Sequence, residues 1–267
     1  MTELTDLIHN NVRSRIAAGE VAVSMVVRLV HSIEIANIAK ACGFDSLYVD
    51  LEHCSFSMQT TSQICMAALD VGVTPFVRVP SYEPEFVSRV LDGGALGVIA
   101  PHISGAVDAQ RVVENAKFPP SGSRSVSVGT PHLRFRSWPL AEARWVLNQE
   151  TTVVAMIETP DALMKADEIA GVDGVDIVMI GTNDLCAEMG IDGQFEHQKV
   201  KDAYARVIDA CRKHGKAAGI GGLAGKPKLI EEFVARGALY VSSGADLSFI
   251  LASGTQRLKE VRAMKPG

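Results

Sequence analysis

Short apolar runs rich in valine and isoleucine recur along the chain, at about residues 21–28 (VAVSMVVR), 46–50 (SLYVD), 74–79 (TPFVRV) and 97–100 (GVIA). Four more follow at 153–157 (VVAMI), 176–180 (DIVMI), 216–220 (KAAGI) and 239–243 (LYVSS). Between them lie segments of helical period, among them HSIEIANIAKAC, MQTTSQICMAALDVG, EPEFVSRVLDGG and QKVKDAYARVIDACRKHG. A strand that is apolar on successive residues has no polar face to give to water, so each run predicts a parallel strand covered on both sides by helices. Eight such units in about 250 residues are the arithmetic of a closed (β/α)8 TIM barrel, whereas an open doubly wound sheet has fewer strands and a glycine-rich first turn. We therefore expect one α/β domain over residues 1–267. Leu4, Leu7, Ile8, Val12 and Ile16 fall at helical spacing and predict an amphipathic N-terminal helix against the barrel. The stretch from Phe118 to Gln149, rich in Ser, Pro, Arg and Gly, separates the fourth and fifth strands. A connection of that length points to an active-site cover or a subunit contact.

Composition narrows the partners. The 267 residues are 47% hydrophobic and 21% charged, an ordinary globular balance, and the net charge of -5 leaves no basic face for nucleic acid. The five cysteines are scattered without a CxxC pair, so neither a disulfide framework nor a cysteine zinc site is expected. The first twenty residues include Glu3, Asp6, Arg13 and Arg15 where a secretory signal needs an apolar core, and no apolar run approaches the roughly 20 residues of a membrane span. A soluble protein of a reducing cytoplasm, with no membrane partner, is the expectation.

In a barrel of this type chemistry sits at the carboxyl ends of the strands. The second run ends in Asp50-Leu51-Glu52-His53, the third in Arg78, the fifth in Glu158, and the sixth leads through Gly181-Thr182-Asn183 to Asp184. Any one of these also fits a helix cap or a salt bridge. Glu158 and Asp184 end adjacent strands about 4.8 Å apart, and two carboxylates converging near water suit a hard cation such as Mg2+ or Mn2+, or a basic side chain between them. His53, beside Asp50 and Glu52, suits a general base held in one tautomer, or a buried structural histidine. Arg78 suits planar recognition of a carboxylate or enolate oxygen, or a barrel salt bridge. The stretch GIGGLAGK is not a Walker loop, since Ile220 and Pro227 stand where glycine and a hydroxyl residue are needed. With Ser242-Ser243-Gly244-Ala245 after the eighth strand, it occupies a region where barrels bind anions, and equally fits a turn. No strand ends in lysine, so Schiff-base chemistry lacks its nucleophile, and no GxSxG elbow is present.

The motifs DLEH at 50–53, VRVP at 77–80, RVLDGGALGVIAPHI at 89–103, IET at 157–159 and IGTNDL at 180–185 resemble, in order and spacing, the HpcH/HpaI aldolase family of metal-dependent pyruvate aldolases. The resemblance runs over roughly residues 12 to 260. It implies a homohexamer built as a trimer of dimers, with the C-terminal helix exchanged between subunits. It also implies reversible cleavage of a 4-hydroxy-2-oxo acid to pyruvate and an aldehyde, with Mg2+ or Mn2+, possible substitution by Co2+, and no organic cofactor. Carried over by motif, Glu158 and Asp184 match the metal ligands and His53 the base acting through water. Arg78 matches the residue on the keto oxygen, the amides of Gly181, Thr182, Asn183 and Asp184 the cradle for the pyruvate carboxylate, and Asp50 and Asp92 carboxylates linked to the histidine and to proton transfer. Met156 stands where the family usually has glutamine, Thr182-Asn183 where it has Pro-Ala, and Ser125 where a glycine follows the loop arginine; these departures bear on the substrate. Related enzymes decarboxylate oxaloacetate or cleave acyl-CoA thioesters, the latter calling for a basic track here limited to Lys226 and Lys228. A non-catalytic barrel that binds a keto acid is the remaining alternative.

Overall fold

The computed structural model describes residues 4–265; residues 1–3 and 266–267 of the expected domain lie outside the described residues. Eight parallel strands close into a barrel in sequence order: β1 (Ala22–Val27), β2 (Ser46–Asp50), β3 (Thr74–Arg78), β4 (Gly97–Ala100), β5 (Thr152–Ile157), β6 (Ile177–Gly181), β7 (Ala217–Gly221) and β8 (Ala238–Ala245). β8 pairs with β1 to complete the ring. The apolar runs form these strands because both their faces are covered. Side chains pointing inward, including Tyr48, Phe76, Ile99, Met156, Met179 and Tyr240, fill the lumen, and those pointing outward pack under the helices, as Val77, Val98, Val153 and Val178 do.

The ends of the chain depart from the expected pattern. The helical spacing from Leu4 to Ile16 is divided into two helices, Leu4–Leu7 and Asn11–Ala17. Asn10 causes the break. Its fully buried side chain accepts from the amides of Val12 and Arg13, capping the second helix, while its Nδ2 donates to the Glu150 carbonyl at 2.7 Å and to Thr152 Oγ1 at 3.0 Å. Val12 then packs beneath Tyr240 and closes the amino-terminal end of the lumen. β8 runs on to Ala245, so Ser242 and Ser243, the end of the eighth apolar run, are followed in the same strand by Gly244 and Ala245, which are expected to lie after it. The two serine hydroxyls are taken up by Tyr48 Oη at 3.1 Å and the Ser24 carbonyl at 3.3 Å.

The long connection after β4 also lies elsewhere than expected. Helix Ala106–Ala116 follows β4 at once and carries the chain back to the amino-terminal face before the Ser- and Pro-rich stretch begins. Phe118 and Leu133 anchor that stretch against Leu4, Ile8 and Leu96 on that face. It does not cover the mouth of its own barrel, which corrects the reading as a lid; the reading as a subunit contact is untouched. The C-terminal helix Asp246–Arg262 buries only Asp246 and leaves Leu247, Phe249, Ile250, Leu251, Leu258 and Val261 exposed. Among the described residues no helix is long and apolar enough to cross a membrane.

Candidate active site

Asp50, the last residue of β2, organises one side of the barrel mouth. Its fully buried carboxylate accepts from Arg78 Nε at 3.0 Å and Arg78 Nη2 at 2.7 Å, a bidentate pair set up by the register that places Asp50 beside Arg78 at the end of β3. Its Oδ1 also accepts from the amides of Glu52 and His53 at 3.2 and 3.3 Å. Burial by itself would raise the Asp50 carboxyl, but the hydrogen bonds and charge of Arg78 outweigh it and hold the group below its ordinary value. Arg78 stays charged by the reciprocal argument: burial opposes its charge, and Asp50 and Glu52 more than compensate. Arg78 Nη1 stands 2.9 Å from Glu52 Oε2, so each of its three nitrogens faces a carboxylate. A guanidinium has five N–H groups, which leaves two to turn toward a ligand.

Across the mouth, Glu158 follows β5 and is almost completely buried. Burial pushes its carboxyl above the ordinary value, and the neighbouring charges of Glu52 and Asp184 push the same way against the His102 N–H. No lysine or arginine pairs with Glu158 among the described residues. A buried carboxylate beside two other acids fits a divalent cation. Among the described residues no three His, Cys, Asp or Glu side chains are grouped to hold a metal ion; Mg2+ commonly takes only one or two carboxylates and completes its shell with water and substrate oxygens. Glu158 and Asp184 are the pair expected to hold it, and the β5–β6 register sets Ile157 beside Ile180, bringing their loops together. Gly181 makes the close approach possible, since a Cβ there would come within 2.6 Å of Glu158 Oε1.

The expected carboxylate cradle is the start of helix Thr182–Glu188, whose first amides have no side-chain cap. The Thr182 side chain cannot contribute to it. Its buried hydroxyl lies 2.7 Å from Tyr204 Oη and donates to the Gly221 carbonyl at 2.5 Å, so only the backbone amide of Thr182 remains for substrate. Asn183 and Asp184 are exposed at the same turn. His53 is half exposed, with Nε2 3.8 Å from Glu52 Oε2. Asp50 holds the His53 backbone rather than its ring, because the arginines occupy its carboxylate; the expected tautomer-fixing contact is not formed. Asp92 is not part of this group. It ends helix Pro84–Asp92, at the opposite end of the strands from Glu158, and pairs with Arg124 at 2.6 Å. Arg124 is buried over the Phe118 ring, its guanidinium carbon 4.5 Å from the centroid. Met156 sits in the apolar lumen among Phe76, Ile99 and Met179, giving the site a dry floor where a glutamine would offer a polar group. Lys226, one of two candidates for a basic track, is paired with Glu196 at 3.0 Å.

Three further residues, to which the sequence reading gave no role of their own, shape the mouth. Glu52 serves Arg78 and His102 rather than His53. His102, two residues beyond β4, adopts a left-handed φ of 56° and directs its amide and Nδ1 to Glu158 Oε2 at 2.8 and 3.0 Å, with Nε2 2.8 Å from Glu52 Oε1. Arg28, the residue after β1, places Nε 3.2 Å from Asp50 Oδ2. Both His102 and Arg28 follow a strand, the same signal that marked Arg78 and Glu158.

Comparison with known proteins bears on the family and the fold. The pattern of the family described as HpcH/HpaI aldolase/citrate lyase matches residues 20–252. The chain is 42% identical to a 4-hydroxy-4-methyl-2-oxoglutarate aldolase of Hapsidospora irregularis over 83% of each protein. It is 31% identical to a 5-keto-4-deoxy-D-glucarate aldolase of Shigella dysenteriae over 96% of this chain and 97% of the other. The solved HpcH/HpaI aldolase of Desulfitobacterium hafniense superimposes with a TM-score of 0.89 at 30% identity, covering 96% and 97% of the two chains.

Proposed function

The chain belongs to the HpcH/HpaI aldolase/citrate lyase family, and we propose that it is a divalent-metal-dependent lyase that reversibly cleaves a 4-hydroxy-2-oxo acid to pyruvate and a second carbonyl compound. The observation that carries this reading is the opposition, in one mouth, of a buried acid with no lysine or arginine partner among the described residues to an arginine held by two carboxylates with N–H groups to spare. Glu158 and Asp184 are the residues to hold Mg2+ or Mn2+. When bound there, the cation supplies a Lewis acid that draws electrons from the 2-oxo acid as the carbon–carbon bond breaks.

The protein's own groups have separable tasks. Arg78 directs its spare N–H groups at the keto oxygen, where negative charge grows as the enolate forms, and its fixation by Asp50 and Glu52 means little reorganisation is needed at that moment. The amides at the start of helix Thr182–Glu188 receive the pyruvate carboxylate, a favourable place for an anion. His53, exposed enough to reach water, removes the proton of the 4-hydroxyl during cleavage and returns it during synthesis. Met156 and its apolar neighbours keep water from beneath the reacting carbons. The exposed apolar side chains of helix Asp246–Arg262 support assembly into a homo-oligomer, for which we propose the exchanged-helix hexamer.

The test is pyruvate release from a small panel of 4-hydroxy-2-oxo acids. Activity should vanish in excess EDTA and return with Mg2+, Mn2+ or Co2+. Full activity in EDTA, or trapping of a substrate adduct by borohydride, would show that the chemistry is not metal-assisted.

A further inference from the structure

The two oxygens of Glu158 have unequal surroundings, and His102 makes the difference. Oε2 accepts from the His102 amide at 2.8 Å and has His102 Nδ1 3.0 Å away. A carboxylate oxygen offers two lone pairs, so the amide and the ring of one residue occupy both directions open at Oε2. Oε1 lies on the Gly181 side, where an added Cβ would come within 2.6 Å of it. Gly181 precedes the short helix that carries Asp184, so Oε1 is the oxygen turned toward the second carboxylate of the mouth. His102 keeps its place at a cost. Its left-handed φ of 56° is unfavourable for a residue other than glycine, although histidine bears it better than most. The amide of Ile103 donates to the Met156 carbonyl at 3.1 Å and ties this turn to β5, the strand that leads into Glu158. On the outer side of the ring, Nε2 stands 2.8 Å from Glu52 Oε1, while Glu52 Oε2 faces Arg78. The ring is 64% exposed, so its contacts at both nitrogens, rather than packing, fix its orientation.

We propose that His102 is a positioning residue that holds Glu158 to one ligating oxygen, Oε1, and thereby fits the site to a small octahedral cation such as Mg2+ or Mn2+ and against Ca2+. This rests on Glu158 and Asp184 being the residues that hold the cation. Mg2+ demands near-ideal octahedral geometry at about 2.1 Å, whereas Ca2+ gathers roughly six to eight oxygens at about 2.4 Å and often takes both oxygens of one carboxylate. A Glu158 side chain free to turn would offer the larger ion its second oxygen. With Oε2 engaged by an amide and a ring nitrogen, that offer costs both contacts. The backbone donates whatever side chain stands at this position, so the ring is the part of the hold that a substitution can remove.

The experiment titrates the metal-stripped full chain with Mg2+, Mn2+ and Ca2+ in a calorimeter, so it reads binding rather than turnover. His102→Gly removes the ring and suits the positive φ, and His102→Asn also tolerates that φ while returning a side-chain N–H. The unmodified protein should bind Mg2+ and Mn2+ more tightly than Ca2+. His102→Gly should lower the ratio of Mg2+ to Ca2+ affinity by about 10-fold or more, the scale for losing the partner of a metal-binding side chain, and His102→Asn should stay closer to the unmodified ratio. The ratio is decisive because a lost charge or lost packing shifts all divalent cations together, whereas a second oxygen from Glu158 favours the larger one. Three results overturn the role of His102: Ca2+ bound by the unmodified protein as tightly as Mg2+, a folded His102→Gly protein with an unchanged ratio, or a ratio that falls as far in His102→Asn as in His102→Gly. A crystal structure of the Mn2+-loaded unmodified protein with both Glu158 oxygens on the metal overturns it as well. An unmodified protein that binds none of the three cations, or a Glu158→Gln protein that binds them as tightly as the unmodified one, overturns the metal site itself and this inference with it.

Discussion

Adding one methyl group at Gly181 should disable the proposed metal site without unfolding the barrel. Gly181 ends β6 with φ -81° and ψ 86°, a backbone open to any L-residue, so Gly181→Ala introduces no dihedral strain. Its Cβ, however, would stand 2.6 Å from Glu158 Oε1 and 2.7 Å from Glu158 Cγ. Carbon and its neighbours pack comfortably at about 3.5 Å, so the Glu158 side chain must withdraw by roughly 1 Å, and it is buried with little room to do so. Its retreat also draws Oε2 away from the His102 amide, now 2.8 Å distant. Displacements of about 1 Å at reacting groups cost on the order of 100-fold in rate. We expect a loss of that size in kcat/KM together with weaker Mg2+ binding in a calorimetric titration of metal-stripped protein, and a thermal midpoint near that of the unmodified protein. Gly225→Ala is the control, because a Cβ there meets nothing within 4 Å, and it should behave as unmodified protein. A folded Gly181→Ala enzyme with normal turnover and normal metal affinity would refute the reasoning.

Two further outcomes follow from charge and burial. Arg78→Ala should lower kcat by about 100-fold or more with a smaller change in KM, and Arg78→Lys should recover little because an ammonium cannot satisfy Asp50 and Glu52 as a fork does; a main effect on KM would make Arg78 a binding residue only. His132 is buried with Nε2 3.0 Å from the Ala95 carbonyl, and burial lowers its pKa from 6.5 to about 4. The unfolded chain therefore takes up the proton first, and the stability present above pH 6.5 is lost as pH falls toward 4, by about 2 kcal/mol between pH 7 and pH 5. Urea unfolding of His132→Gln, whose amide can still donate to Ala95, should show that much less pH dependence; an equal dependence would place the titration elsewhere.

The barrel was legible because burial on both faces writes each strand as an unbroken apolar run, and eight such runs leave few alternatives. Boundaries set by single polar side chains were not. The spacing from Leu4 to Ile16 is continuous, and nothing in it marks Asn10 as a buried cap that ends one helix and starts another. The stretch after Phe118 was misplaced for a topological reason: its order between two strands does not tell whether it precedes or follows the helix that returns the chain to the amino-terminal face. Within the mouth, the strand-end rule found Asp50, Arg78, Glu158 and Asp184. It passed over Arg28, taken as the last residue of its run, and His102, hidden in the block that carried the family resemblance. Asp92 entered by motif alone, without a strand-end position, and the fold of a single chain sets it at the far end of the barrel, against Arg124.

Asp246 joins two features that would otherwise seem independent. It is the first residue of the exposed C-terminal helix, and its carboxylate gathers the amides of Arg28, Leu29, Val30 and Leu247. An exposed helix of this length gains little from its own hydrogen bonds and needs a surface for its apolar side chains. A surface that received it would therefore bear on the residue that positions the β1 loop. The geometry of Arg28 at the mouth and the start of the helix are thus linked through one buried carboxylate, which acts beside the Ser248 hydroxyl that caps the same turn and the Phe249 ring stacked on Phe44.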